Sequence, residues 1–254
     1  MGESTALEQV KVVGTKVLQK MLALLYPYTC PICGKVPKKV NGKYERICPE
    51  CTGKLHYIHS PRCLVCGKPV DSYETELCFD CSRREHLFTQ GTGVWTYTDE
   101  IKNSIYDFKY HNRRINRYFY AEEIIRNCGN VMRNWNADAL IPVPLHADRY
   151  RKRGYNQAEL IAELVGKWMG IPVDAGVLYR TKKTVPQKEL DDRQRNNNVK
   201  NAFKMSNNIV KYKKIILIDD IYTTGTTMDA CAEALLAAGV EKVYCVSLCI
   251  GRGF

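Results

Sequence analysis

Asp219 and Asp220 stand together at the end of an unbroken apolar run, Ile215-Ile216-Leu217-Ile218, and are followed by Ile221-Tyr222 and the turn Thr223-Thr224-Gly225-Thr226-Thr227. Adjacent carboxylates can accept hydrogen bonds from vicinal ribose hydroxyls, as an acid does in dinucleotide folds, or hold Mg²⁺ directly or through water. A Thr/Gly turn that opens a helix offers backbone N–H groups and the positive end of the helix dipole to a phosphate. The hydroxyls of Thr223, Thr224, Thr226 and Thr227 add donors, and Gly225 permits a backbone conformation that a side chain hinders. The competing reading is that the acids only cap the turn. The apolar run before them and the Thr/Gly turn after them favour a site for ribose and its 5-phosphate.

The second chemical feature is sulfur. Eight of the twelve cysteines fall into four CxxC pairs: Cys30/Cys33, Cys48/Cys51, Cys63/Cys66 and Cys78/Cys81. Thiolates so spaced suit tetrahedral Zn²⁺, and four pairs predict two structural Cys₄ sites. Cys30-Pro-Ile-Cys33-Gly and Cys63-Leu-Val-Cys66-Gly repeat one turn, which marks an internal duplication. The expected grouping is Cys30, Cys33, Cys48 and Cys51 in one site and Cys63, Cys66, Cys78 and Cys81 in the other, although the spacing also permits a crossed arrangement. Redox chemistry is the rival for any single CxxC pair. Cys128, Cys231, Cys245 and Cys249 lack such spacing and read as core thiols.

A third feature, residues 109 to 120, interleaves cations with aromatics. Lys109, Tyr110, Arg113, Arg114 and Arg117 could neutralise and stack on single-stranded DNA. Alternatively, Tyr118, Phe119 and Tyr120 pack inside while the cations reach outward.

These features need elements to hold them. Ala139 to Pro144, Ile215 to Ile218 and Val243 to Leu248 read as buried strands; Asn156 to Met169 and Thr226 to Ala238 read as helices ending at Gly170 and Gly239. That order is βαβ with a parallel sheet. A leading amphipathic helix occupies residues 1–29, the cysteine module 30–90 and the α/β domain 91–254, with a basic, aromatic connector between the module and the βα pattern. Residues 186 to 198 read as a polar loop. At 254 residues, 45% hydrophobic, the chain can fill a core, and its net charge of +11 favours phosphates and polyanions as partners. Charges interrupt the leading apolar stripe, so no secretory or transmembrane segment is expected. The cysteine usage points to the reducing cytoplasm.

The segment around Asp219 to Thr227 resembles the phosphoribosyl pyrophosphate (PRPP) signature of type I phosphoribosyltransferases. That resemblance implies a parallel sheet flanked by helices, Asp219 and Asp220 on ribose, Thr223 to Thr227 on phosphate, and displacement of pyrophosphate at the anomeric carbon. Thr223 stands where purine-salvage members carry an acid, which argues against that subclass and leaves no evident general base. The family's pyrophosphate loop matches Leu145 and His146, with Arg149 and Arg153 just beyond; a solvated surface is the rival for that charge run. The full chain, zinc module first, is similar to the ComF (ComFC) family of late-competence proteins. Tyr97, Phe108 to Tyr110, Pro142 to His146, Arg153 to Gln157 and the loop with Thr184, Gln187, Leu190 and Arg195 carry that likeness. It implies a part in DNA uptake, Mg²⁺ with PRPP, two Zn²⁺ ions, Arg195 as a loop candidate for pyrophosphate and a DNA-uptake helicase as partner. A metabolic, amidophosphoribosyltransferase-like enzyme and a non-catalytic PRPP sensor are the alternatives.

Overall fold

The computed structural model describes residues 28–40, 43–181, 202–206 and 211–251. The leading helix, the 186–198 loop and Arg195 lie outside them. Contacts divide the chain into two compact units, residues 1–54 and 55–254. In the first, β1 (Lys39–Val40) pairs antiparallel with β2 (Lys43–Tyr44), and α1 (Pro49–Thr52) follows with proline in its first turn.

The second unit begins with a cysteine knuckle and α2 (Phe79–Arg83), then β3 (Gln90–Thr96), α3 (Asp99–Tyr110) and α4 (Arg117–Trp135). Next come β4 (Ala139–Pro142), α5 (Ala147–Arg153), α6 (Gln157–Met169) and an antiparallel pair, β5 (Leu178–Arg180) with β6 (Phe203–Met205). β7 (Lys214–Tyr222), α7 (Thr226–Ala237) and β8 (Lys242–Ile250) complete it. The main sheet has the order β3-β8-β7-β4 and is parallel throughout.

A central parallel strand is covered on both faces and therefore reads as a continuous apolar run. Ile215, Ile216, Leu217 and Ile218 are all fully buried. Asn156 caps α6 by accepting the Ala158 N–H at 3.2 Å, and Gly170 closes it in the left-handed conformation, as its type and position predict.

Two expectations need correction. The strand does not stop before the acids: β7 runs on through Asp219 and Asp220 to Tyr222, paired with β8 as far as Ile250. The supposed connector is not a connector either, because it supplies the sheet's edge strand β3 and two packed helices. α3 buries Ile101, Ser104, Ile105 and Phe108, a helical stripe, and α4 buries Phe119, Tyr120, Ile124, Cys128 and Met132. Cys128, Cys231, Cys245 and Cys249 are buried core thiols, as expected. Among the described residues no helix is long and apolar enough to cross a membrane.

Candidate functional site

The site arises where neighbouring strands end unequally. The β4–β7 ladder ends at the Pro142–Ile218 pair, while β7 continues beside β8 to Tyr222. Past Ile218 one flank of β7 is therefore open, at the carboxyl end of a parallel sheet where ligands characteristically bind. A cavity of about 480 Å³ occupies this opening. Its walls include Asp219, Asp220, Thr223 and Thr227 from the β7–α7 segment.

Asp220 Oδ2 is 2.7 Å from Lys109 Nζ, and Asp219 Oδ1 accepts the Asp220 N–H at 2.8 Å. Burial, and then the neighbouring Asp220 charge, push the Asp219 carboxyl up to about 7, against the pull of Lys109, the Asp220 N–H and Arg180. The cavity therefore contains a carboxyl that changes charge near neutrality. Beyond Tyr222, Gly225 adopts φ +79° and its carbonyl accepts the Asp229 N–H at 2.8 Å, starting α7. Thr224 and Thr226 hydroxyls lie 2.9 Å apart. The loop between Ile221 and Met228 curls around a small hollow of its own.

The same cavity is also lined by cations. Arg149 and Arg153 line it from α5, Arg180 from β5, and Leu145 from the turn after β4. His146 lies apart from the lining and serves α5 instead, its Nδ1 accepting the Asp148 N–H at 3.2 Å. Arg153 donates to Gln157 Oε1 at 2.7 Å and to Tyr110 OH at 3.0 Å, with its guanidinium 4.7 Å from the Tyr110 ring centre. Asn156 donates to the Val143 carbonyl at 3.0 Å and so ties the end of β4 to the start of α6.

Sequence reasoning missed Arg180, Tyr97, Tyr106 and Gln157 as lining residues. Arg180 sits in a three-residue strand with no motif around it, so no pattern singles it out. Burial and the nearby Arg149 lower its pKa. Tyr97 and Gln157 belong to segments that carry the family resemblance, a signal available for both.

The basic, aromatic stretch divides in two. Phe119 and Tyr120 are buried, Phe119 stacking with Trp95 at 5.5 Å between ring centres. Lys109 turns into the cavity, whereas Arg113 and Arg114 are exposed and Arg117 is half-buried. Arg114 lies over the Tyr155 ring at 4.4 Å. Tyr106 and Tyr110 are exposed at the cavity mouth, 4.7 Å apart. A second cavity, about 280 Å³, adjoins the first and is walled by Lys109, Arg149, Lys152 and Arg153 with Tyr110 and Tyr155.

The cysteines gather in two groups, Cys30, Cys33, Cys48 and Cys51 in the first unit and Cys63, Cys66, Cys78 and Cys81 in the second. In each group the sulfurs lie within 4.8 Å of one another. Closest approaches include Cys33–Cys48 at 3.8 Å and Cys66–Cys78 at 3.5 Å. A disulfide would require about 2.05 Å, whereas four thiolates about 2.3 Å from one Zn²⁺ are spaced much as these are. The two knuckles share one backbone design. Gly34 and Gly67 both have positive φ (73° and 77°), and their N–H groups donate to the Cys30 and Cys63 carbonyls at 2.9 and 3.0 Å. Both four-cysteine groups can hold a metal ion.

Residues 21–82 match the double zinc ribbon domain family and residues 158–253 the phosphoribosyl transferase domain family. Competence protein F of Haemophilus influenzae is 30% identical over 215 residues, covering 77% of this chain and 93% of that protein. Competence protein ComFC of Bacillus subtilis is 29% identical, covering 77% and 80%. DNA utilization protein YhgH of Salmonella typhimurium is 26% identical, covering 89% and 98%. With paired cysteine clusters preceding an α/β unit of phosphoribosyltransferase type, the chain belongs to the ComF (ComFC) family of competence proteins.

Proposed function

We propose that the main cavity binds PRPP or a related phosphoribosyl ligand with Mg²⁺, in a zinc-containing protein that contacts single-stranded DNA during its uptake. One observation carries this reading: two acids, Thr223 and Thr227 of the Thr/Gly turn, and three arginines, Arg149, Arg153 and Arg180, line a single cavity at the sheet's carboxyl edge. The turn's N–H groups and hydroxyls suit a 5-phosphate. Asp219 and Asp220 suit ribose hydroxyls and Mg²⁺, and Leu145, Arg149 and Arg153 suit pyrophosphate. A hydroxyl or Mg²⁺ on Asp220 would compete with Lys109, which already neutralises that carboxylate. The same charges favour a cationic transition state at the anomeric carbon with departure of pyrophosphate, the reaction class of a phosphoribosyltransferase. The two Zn²⁺ ions act as crosslinks.

The DNA role draws on the relatives' names and on the cations of the second cavity, which adjoin exposed Tyr110. Calorimetric titration of the full chain with PRPP and Mg²⁺ tests the ligand. We expect saturable binding that weakens at least about tenfold in Asp220→Ala, as loss of a charge-assisted contact predicts. A folded wild-type protein that takes up no PRPP would sink the reading. Pyrophosphate release in the presence of acceptors separates a transferase from a sensor.

A further inference from the structure

The Thr223–Thr227 loop is held from behind by the linker that leaves the second cysteine cluster. Asp229, in the first turn of α7 and buried, accepts from Arg84 Nη2 at 2.8 Å and from the Leu87 N–H at 2.9 Å, and pairs with His86 Nδ1 at 2.9 Å. Arg84 Nη1 also reaches Thr226 Oγ1 at 3.3 Å, and Thr226 in turn meets Thr224. His86 closes off the loop glycine: a Cβ on Gly225 would come within 2.6 Å of His86 Cε1 and 2.7 Å of Tyr222 OH. The His86 ring stacks on Phe88 at 4.7 Å, and Phe88 meets Tyr222 edge-on.

The linker is anchored to the cluster itself. Lys68, between Cys66 and Cys78 and only 5% exposed, pairs with Asp80 of α2 and lies 5.9 Å from the Tyr222 ring centre. The knuckle is seated on β3, where the Gly91 N–H donates to the Val65 carbonyl at 2.6 Å. A Cβ at Gly67 would strike the Gly91 carbonyl oxygen at 2.8 Å. Among the described residues Arg84, His86 and Asp229 stand outside the lining of the main cavity. They reach the loop without reaching the cavity.

We infer that Arg84, His86 and Asp229 are positioning residues that fix the Thr223–Thr227 loop in its phosphate-receiving shape and make that shape depend on the second cysteine cluster. The inference rests on the reading of this loop as a phosphate site. A buried carboxylate met on both oxygens by three groups is costly to disturb, since any shift strands a charge. A loop so braced is organised before its ligand arrives, which raises affinity without adding a ligand contact.

The test is calorimetry on the full-length, zinc-loaded chain with two probes, ribose 5-phosphate and inorganic pyrophosphate. Arg84→Ala should weaken ribose 5-phosphate about tenfold while leaving pyrophosphate, which the proposed reading assigns to Arg149 and Arg153, within about twofold. Arg84→Lys should recover part of the loss, and the near-isosteric Asp229→Asn should give the same split. The ³¹P resonance of bound ribose 5-phosphate should move in these variants. Unchanged ribose 5-phosphate affinity in both Arg84→Ala and Asp229→Asn, or equal loss of both probes, would overturn the inference alone. Failure of the wild type to bind ribose 5-phosphate would remove the phosphate reading and this inference together.

Discussion

At the scale of single residues, Asp219 has the most measurable consequence. Its carboxyl is pushed up to about 7 by burial and by the Asp220 charge, whereas an unfolded aspartate titrates near 3.9. Between those values the folded chain binds a proton that the unfolded chain releases. The resulting stabilisation is complete below about pH 4 and is lost as pH rises through about 7. Asp219→Asn should therefore melt close to wild type near pH 4, and about 10 °C above it at pH 8, where the buried charge is gone. Melting curves with a constant offset across that range would mean that Asp219 is ionised throughout. The Asp-Asp pair and the Thr/Gly turn were legible because their residue types and spacing already state a chemistry. Arg180 and Arg84 were not, because each acts through a partner distant in sequence: Asp219 for one and Asp229 for the other.

Elements were legible in proportion to how completely they are covered. β4, β7 and β8 are apolar runs because both faces are buried, and α6 carries its own start and stop signals in Asn156 and Gly170. β3 escaped notice because Gln90-Gly91-Thr92-Gly93-Val94-Trp95-Thr96 has two glycines, which usually argue against a strand. Here the glycines record close approach. A Cβ on Gly93 would lie 2.7 Å from Ile250 Cγ1 and 3.1 Å from the Ser247 carbonyl oxygen, and the latter cannot rotate away. Helices α3 and α4 were hidden by their charged outer faces, which outnumber the buried stripe in any short window. Gly93→Ala should thus cost about 1–3 kcal/mol through overpacking between β3 and β8, seen as a lower urea midpoint with an unchanged slope. A midpoint equal to wild type would show that the β3–β8 contact is looser than its geometry states.

Over the whole molecule the charge of +11 does not act as a uniform field, because the cations differ in what already holds them. Lys109 has a side chain only 18% exposed and sits on Asp220, so a strand of DNA arriving at the surface gains little from it. Arg113 and Arg114 are exposed, Arg114 lying over the Tyr155 ring, and Tyr110, exposed beside them in sequence, already meets Arg153, while Phe119 and Tyr120 are taken up by the core. The proposed DNA contact therefore belongs to the turn after α3 and to the basic face of α5, not to the full run of residues 109 to 120. Each single-strand phosphate neutralised contributes about 0.7 to the slope of log affinity against log salt. Replacing Arg113 and Arg114 together by alanine should make the slope for an oligothymidylate shallower by about 1.4, whereas Lys109→Ala should leave it within about 0.3 and change PRPP binding instead. A double variant whose slope matches wild type would remove these arginines from the DNA path. A Lys109→Ala slope shallower by about 0.7 would mean that DNA enters the main cavity itself and competes there for Asp220's partner.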